Sequence, residues 1–248
     1  MIRLEGLVKT FADFTAVDDV SLDVAEGQIH GFLGPNGAGK TTTIRMIAGL
    51  LQPTRGRVTI NGHDLAREPE AAKRFLGFIP DRPFLYEKLT GGEFLRFHAG
   101  LYGLEGQEVE QRAAELLELF ELTAWRDELV ESFSHGMKQR LVMCAAFLHR
   151  PRAIVVDEPM VGLDPRGARL IKEVFRVQSR KGVAILMSTH TLEVAQEMCD
   201  VISIIQGGKI IARGTVEELQ ELAGHEDAHL TPVFLKLTGG TGLQEVDL

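Results

Sequence analysis

Long apolar runs are absent from this chain of 248 residues. The longest stretch without Asp, Glu, Lys or Arg is Gly27–Gly39, which has 13 residues and includes five glycines. A membrane-spanning helix needs about 20 mostly apolar residues, so we expect no span. The segment Met1–Glu5 also lacks the basic and apolar parts of a secretory signal, and we expect none.

The chain also has few cysteines and no excess of positive charge. The only cysteines, Cys144 and Cys199, lie far apart in a long chain, which indicates a reduced compartment and not a disulfide framework. The 27 Lys+Arg against 35 Asp+Glu give a net charge of −8, whereas nucleic-acid-binding domains are usually basic. We therefore expect no nucleic-acid partner.

The residues that are present have an ordinary globular composition. Hydrophobic residues make up 44% and charged residues 25%, which excludes a disordered or collagen-like chain. The length suits one large domain or two small ones.

Short continuous apolar runs alternate with helical patterns along the chain. Continuous runs are typical of parallel strands that are covered on both faces, and alternation with helices indicates an α/β fold with a mainly parallel sheet. Asp164 is a suitable N-cap for the third helix, and Gly182 is a suitable stop. The predicted strands are Ile29–Leu33, Ala153–Val156 and Val183–Met187, and the predicted helices are Thr41–Leu51, Met137–Arg150 and Pro165–Lys181.

Two regions depart from this alternation. Residues 2–28 and 56–62 resemble short strands with turns and predict an antiparallel flank. Residues 85–150 resemble an almost wholly helical subdomain inserted into the α/β core. Within it, Thr90 begins a capping-box sequence, and Glu108–Glu121 is amphipathic.

A complete phosphate-binding motif follows the first apolar run and opens a helix. Its glycines let backbone N–H groups turn towards phosphate oxygens, and the helix N-terminus adds partial positive charge. Lys40 is expected to reach the β and γ phosphates, and the Thr41 hydroxyl to bind Mg²⁺. The motif and its neighbour comprise Gly34, Pro35, Asn36, Gly37, Ala38, Gly39, Lys40, Thr41 and Thr42.

Two acidic residues stand at the end of the second predicted strand. Asp157 is placed to hold Mg²⁺ beside Thr41, and Glu158 to polarise an attacking water near the γ-phosphate. Many strands end in capping acids, so the pair alone is weak evidence. Together with the phosphate-binding loop it predicts a Mg²⁺ site.

With these motifs the chain resembles the ATP-binding subunit of an ABC transporter. Ser134–Met137 stands where that family has its Ser-Gly-Gly-Gln signature, and Gly162–Asp164 matches its D-loop. Ser188–His190 matches the segment with its switch histidine, and Phe11 its adenine-stacking aromatic. The resemblance extends over essentially the whole chain.

The resemblance implies that two cassettes stack head to tail around two ATP molecules. Ser134 and Gly136 would contact the γ-phosphate held by the opposite chain, and Asp164 would make a contact across the dimer. His190 would hold Glu158 and the attacking water. Each of these residues also has a purely structural alternative. Ser134 and Asp164 could serve only as helix caps, and Phe11 could be a core aromatic.

Three positions depart from the family pattern. His135 replaces a signature glycine and Met137 replaces its glutamine, a variation that resembles the exporter branch. Asp81 stands where the family usually has a glutamine that touches Mg²⁺ or water and senses the membrane partner. Asp81 is therefore expected to be a Mg²⁺ ligand with altered Mg²⁺ dependence.

The leading prediction is an ATPase subunit that binds ATP and Mg²⁺ and drives transport, with export favoured by the resemblance. Its partners would be transmembrane permease subunits and a second ATP-binding subunit, identical or different, and it would lie on the cytoplasmic face of the membrane. Residues 1–224 would form the ATP-binding domain and 225–248 a short extension. The alternatives are a soluble ABC-type ATPase acting on ribosomes or DNA, and a nucleotide sensor without significant catalysis.

Overall fold

The structure, a computed structural model, describes residues 1–224 and 229–239. Its strands form two sheets. The larger has the order β10-β9-β3-β8-β7-β6, in which only β10 is antiparallel to its neighbour, and the smaller is an antiparallel sheet of order β2-β1-β4-β5. In chain order the strands are β1 (Ile2–Phe11), β2 (Phe14–Val24), β3 (Ile29–Leu33), β4 (Arg55–Ile60), β5 (His63–Asp64), β6 (Leu76–Ile79), β7 (Ala153–Asp157), β8 (Ala184–Thr189), β9 (Val201–Gln206) and β10 (Lys209–Gly214).

Helices cover both faces of the larger sheet, which confirms the predicted α/β class. The antiparallel flank that we predicted for residues 2–28 and 56–62 is the smaller sheet. The helices are α1 (Lys40–Ile47), α2 (Pro69–Arg74), α3 (Gly91–Leu101), α4 (Gln107–Leu119), α5 (His135–Leu148), α6 (Pro165–Arg180), α7 (Leu192–Met198), α8 (Val216–Ala223) and α9 (Leu230–Thr238).

Several predicted boundaries are wrong by a few residues, for local reasons. Helix α1 ends at Ile47 and not at Leu51, because Gly49 adopts φ 68° and the chain turns back there. Helix α5 begins two residues early, at His135, because Ser134 provides its cap. It ends before Arg150, which adopts φ 52°.

The predicted helical subdomain is present, but it is less helical than expected. Helices α3, α4 and α5 pack around Phe94, Leu116, Phe120 and Phe147, which are all buried. The connections contain only two single 3₁₀ turns, Thr123–Trp125 and Val130–Ser132, and irregular chain precedes α3. The capping box of Thr90 is present at the start of α3 as predicted.

Helices α8 and α9 complete the fold against α7 and β9. Leu219, Leu230 and Val233 are fully buried together with Ile204 of the larger sheet. The described part of the predicted extension therefore packs against the α/β core, while its residues 225–228 and 240–248 lie outside the described residues. No helix within the described ranges is both long enough and apolar enough for a membrane span.

Candidate nucleotide-binding and hydrolysis site

The phosphate-binding loop connects the end of β3 to the start of α1, as the motif predicted. Gly34 has no room for a side chain, because a Cβ there would lie 2.3 Å from the carbonyl oxygen of Ile205. Gly39 adopts φ 109°, and its Cβ would lie 2.6 Å from the carbonyl oxygen of Ala16. Both positions therefore require glycine, and the loop leads directly into the N-terminus of α1.

Lys40 is buried at the first position of α1 and folds back over the loop. Its Nζ donates hydrogen bonds to the carbonyl oxygens of Gly34 at 2.6 Å and Pro35 at 3.2 Å. Burial lowers the pKa of Lys40, and the nearby carboxylates of Glu158 and Asp157 partly oppose this shift. The ammonium therefore lies beside the loop, where an anionic phosphate would be a better partner than two carbonyls.

Asp157 ends β7 and is held by hydroxyl groups from two neighbouring elements. The Thr41 Oγ1 donates to its Oδ2 at 3.1 Å, and the Ser188 Oγ donates to its Oδ1. Ser188 is the register partner of Asp157 on β8, so strand pairing brings the two side chains together. Burial raises the pKa of Asp157; the hydrogen bonds from Ser188 and Thr41 partly oppose this shift, and the negative charges of Asp81 and Glu158 add to it.

These oxygen atoms fit a magnesium ion. The hydroxyl of Thr41 and the carboxylate of Asp157 lie side by side, and hydroxyl and carboxylate oxygens are the ligands that Mg²⁺ prefers. Asp81 lines the same space. Among the described residues there is no group of three or more His, Cys, Asp or Glu side chains that could hold a metal alone. Nucleotide oxygens and water would therefore complete the coordination, as is usual for Mg²⁺.

Glu158 and His190 form a pair at the mouth of the site. The His190 Nδ1 lies 2.8 Å from the Glu158 Oε1, and the Glu158 carboxylate is largely buried whereas the imidazole is half exposed. Glu158 adopts φ 51°, uncommon for a residue with a side chain, and its N–H donates to the Ser188 carbonyl at 3.0 Å. The backbone turn after β7 thereby presents this carboxylate towards His190.

A groove of about 500 Å³ joins these groups. It brings together most of the predicted site and adds Phe14 and Ala16, which the sequence reasoning did not include. Phe14 is 65% exposed, and an aromatic beside the tight turn between β1 and β2 was the available signal for it. The predicted residues along the groove are Phe11, Asn36, Gly37, Gly39, Lys40, Thr41, Thr42, Asp81, Asp157, Glu158 and His190.

Six predicted residues do not line this groove: three belong to the phosphate-binding loop itself (Gly34, Pro35 and Ala38), and three lie elsewhere in the chain (Ser134, Gly136 and Asp164). Ser134 and Asp164 are helix caps: Ser134 Oγ accepts from Met137 N at 3.3 Å, and Asp164 Oδ1 from Gly167 N at 2.7 Å. Gly136 lies next to the chain just before Asp164, because a Cβ on it would be 3.7 Å from the Gly162 carbonyl. Within the described residues they therefore form a second surface, separate from the groove.

The fold and this site define the chain as a P-loop nucleoside triphosphatase. Residues 17–161 match the family model described as ABC transporter. The chain belongs to the ABC transporter family. Within that family it is an ATP-binding subunit, an ATPase that drives transport.

Individual relatives agree over nearly the whole chain. The linearmycin resistance ATP-binding protein LnrL of Bacillus subtilis is 38% identical, over 93% of this chain and 75% of its own length. The daunorubicin resistance ATP-binding protein DrrA3 of Streptomyces coeruleorubidus is 38% identical, over 90% of this chain and 71% of its own. A solved ATP-binding subunit of an ABC transporter is 38% identical with a TM-score of 0.90, covering 96% of this chain and 99% of that one.

Proposed function

We propose that this subunit hydrolyses ATP in a site shared between two cassettes and passes the resulting motion to separate transmembrane subunits that export their cargo. The observation that carries the proposal is the Glu158–His190 pair, with 2.8 Å between Oε1 and Nδ1. The pair lines a groove whose lining also includes Lys40 and Asp157 but not Ser134. The groove is thus one half of the composite site.

ATP binding would use residues that the groove already presents. Phe11 is half exposed, and its ring is available to stack on the adenine; the Lys9 ammonium lies 5.1 Å from its centroid on one side. Lys40 would exchange its two carbonyl partners for phosphate oxygens. Thr41 and Asp157 would hold Mg²⁺, which when bound neutralises charge that develops on the phosphates.

Hydrolysis would depend on the Glu158 carboxylate. A carboxylate at this place can orient the attacking water and accept its proton. The His190 Nδ1 lies 2.8 Å from the Glu158 Oε1 and would fix the direction of the carboxylate through a hydrogen bond. The two residues directly follow the adjacent strands β7 and β8, so the sheet sets their separation.

A second cassette would supply the other half of the site. The free N–H groups at the start of α5 make an anion site, and Ser134 adds a hydroxyl. Placed against the groove of a partner, they would contact the γ-phosphate there. ATP would then favour the closed pair because it binds that state more tightly than the open one.

The membrane subunits would dock on the segment Asp81–Leu89. This segment carries the exposed Phe84, whose ring packs edge-to-face against Tyr86. It is fastened to α5 near both of its ends: Lys138 Nζ lies 2.6 Å from Glu87 Oε1, and Gln139 donates to the Pro80 carbonyl at 3.5 Å. A displacement of this segment would therefore be transmitted to α5, whose N-cap is Ser134.

Export is supported by the names of two relatives. LnrL and DrrA3 are described by resistance to linearmycin and daunorubicin, and removal of a compound from the cell is a direct route to resistance. The departures His135 and Met137 in the signature agree with that branch of the family. The permease would lie in the membrane, and this subunit on its cytoplasmic face.

The variant Glu158→Gln tests the proposal. We expect turnover to fall by about 100-fold or more, because the neutral amide cannot accept a proton, while ATP binding is retained. Size-exclusion chromatography should then show a dimer with ATP and a monomer with ADP. Glu118→Gln, on an exposed face of α4, is the matched control and should behave like the wild type. Normal turnover in Glu158→Gln would refute its catalytic role.

A further inference from the structure

A second large cavity lies between the helical subdomain and the α/β core. It measures about 630 Å³ and shares no lining residue with the nucleotide groove. One wall consists of α4 and the end of α5, and the other is α6 with the chain that leads into β8. An occupant of this cleft would contact both parts of the molecule at once.

The walls of the cleft are mainly apolar. Phe147 and Val174 are buried along it, whereas Leu119 is 42% and Val177 38% exposed. Covering such surface gains about 25 cal/mol for each Å² removed from water. The volume falls within the range of roughly 300–1,000 Å³ that is typical of small-molecule sites. These walls suit the apolar part of a ligand.

The rim of the cleft is positively charged, in contrast to the net charge of −8 for the whole chain. Among the described residues that line it, four are basic and one is acidic, Glu173, which pairs with Arg169 at 3.1 Å on the same helix. The basic residues are Arg112, Arg150, Arg152 and Lys181.

These cations are incompletely neutralised. Arg150 is 3.8 Å from Glu108 and Arg152 is 3.9 Å from Glu26, both at the long limit for an ion pair. Arg112 pairs with Glu115 at 3.2 Å through one terminal nitrogen, but its Nε is buried and has no hydrogen-bond partner within the described part of the chain. An anionic group at this rim would meet several available donors, and charge-assisted hydrogen bonds are among the stronger ones.

We propose that this cleft binds an amphiphilic anion, namely an apolar chain that carries one carboxylate. The chain lies along Phe147 and Val177, and the carboxylate lies at the rim beside Arg150, Arg152 and Lys181. Inorganic anions lack the apolar part, and neutral or cationic amphiphiles lack the charge. Neither class satisfies both parts of the site.

Isothermal titration calorimetry of the full chain tests this with decanoate as the probe. We expect saturable binding of one decanoate below its micelle concentration. Decyl maltoside, decyltrimethylammonium and inorganic phosphate should each bind much more weakly. Absence of saturable decanoate binding, or equal binding of decyltrimethylammonium, would overturn the proposal, and equal binding of phosphate would reduce the site to a simple anion site.

Variants locate the binding. Arg152→Glu and Val177→Asp should each weaken decanoate binding by about tenfold, which corresponds to about 1.4 kcal/mol. Both side chains are on the surface, so we expect folding and ATP binding to be preserved. Arg180→Glu makes the same charge change at an exposed position that does not line the cleft and should bind decanoate normally. An equal loss in all three variants would show that binding occurs elsewhere.

Discussion

At the scale of single residues, Asp157 carries a charge that its surroundings disfavour. Asp157 is 3% exposed, and the negative charges of Asp81 and Glu158 add to the effect of burial on its pKa. Its pKa is therefore raised above the ordinary value. A carboxyl with a raised pKa stabilises the fold below the pKa of the unfolded chain, and this contribution is lost as the pH rises through the folded-state pKa. At neutral pH the ionised Asp157 costs stability.

We therefore predict that Asp157→Asn raises the melting temperature of the nucleotide-free protein at neutral pH and lowers ATP turnover. The increase in melting temperature should become smaller as the pH falls, because protonated Asp157 of the wild type is then neutral like the asparagine. The asparagine amide can still bond to the hydroxyls of Thr41 and Ser188. Thermal unfolding at several pH values measures both effects, with Asp127→Asn on an exposed loop as the control. A lower melting temperature for Asp157→Asn at neutral pH would contradict this account.

Asp81 offers a second prediction at this scale. It lines the groove beside Thr41 and Asp157, where the family usually has a neutral glutamine. The Asp81→Gln variant loses an anionic oxygen near the proposed Mg²⁺ position, so its ATPase activity should reach half of its maximum at a higher Mg²⁺ concentration. Asp127→Gln is the control for this assay. If wild type and Asp81→Gln showed the same dependence of ATPase activity on Mg²⁺ concentration, Asp81 would not be a Mg²⁺ ligand.

At the scale of elements, α5 connects the signature end of the molecule to the segment Asp81–Leu89. The connection is made by Lys138 and Gln139, within the first two turns of the helix. The exposed rings of Phe84 and Tyr86 stand out from that segment, and Phe97 of α3 packs edge-to-face against Tyr86. This aromatic group is the part of the segment best suited to a protein partner.

Replacing Phe84 by Ser should weaken the binding of this subunit to the membrane subunits. The ATPase activity of the isolated subunit should stay unchanged. An exposed aromatic anchor at an interface contributes about 1–2 kcal/mol, or about tenfold in affinity. Co-purification of the transporter in mild detergent measures this. Leu101→Ser removes another exposed apolar side chain, at the end of α3, and is the control. If the Phe84→Ser subunit co-purified as fully as the wild type, the membrane subunits would dock at another surface.

The local sequence predicted these elements well where a single interaction determines them. The Thr90 capping box, the Asp164 cap and the β3–loop–α1 unit needed only neighbouring residues. The contacts that it could not predict depend on distant pairing. Ser188 reaches Asp157 only because β7 and β8 are adjacent in one register, and Phe14 reaches the groove only because the smaller sheet folds over it.

At the scale of the whole molecule, the groove and the caps of α5 and α6 lie on separate surfaces of one chain. Lys40, Asp157, Glu158 and His190 share the groove, and Ser134 stands apart from them. On the proposed mechanism, each chain carries one half-site of each kind. Two copies placed head to tail would complete two sites, and one copy alone would complete none.

Mixing two inactive variants tests this claim most directly. Lys40→Ala removes the phosphate-binding half and Ser134→Arg blocks the signature half, so each variant alone forms only defective sites. In a mixed dimer one site combines the intact groove of one chain with the intact signature of the other. An equal mixture should therefore regain ATPase activity, up to about a quarter of the wild-type rate. A mixture that is no more active than the two variants measured separately would contradict this claim.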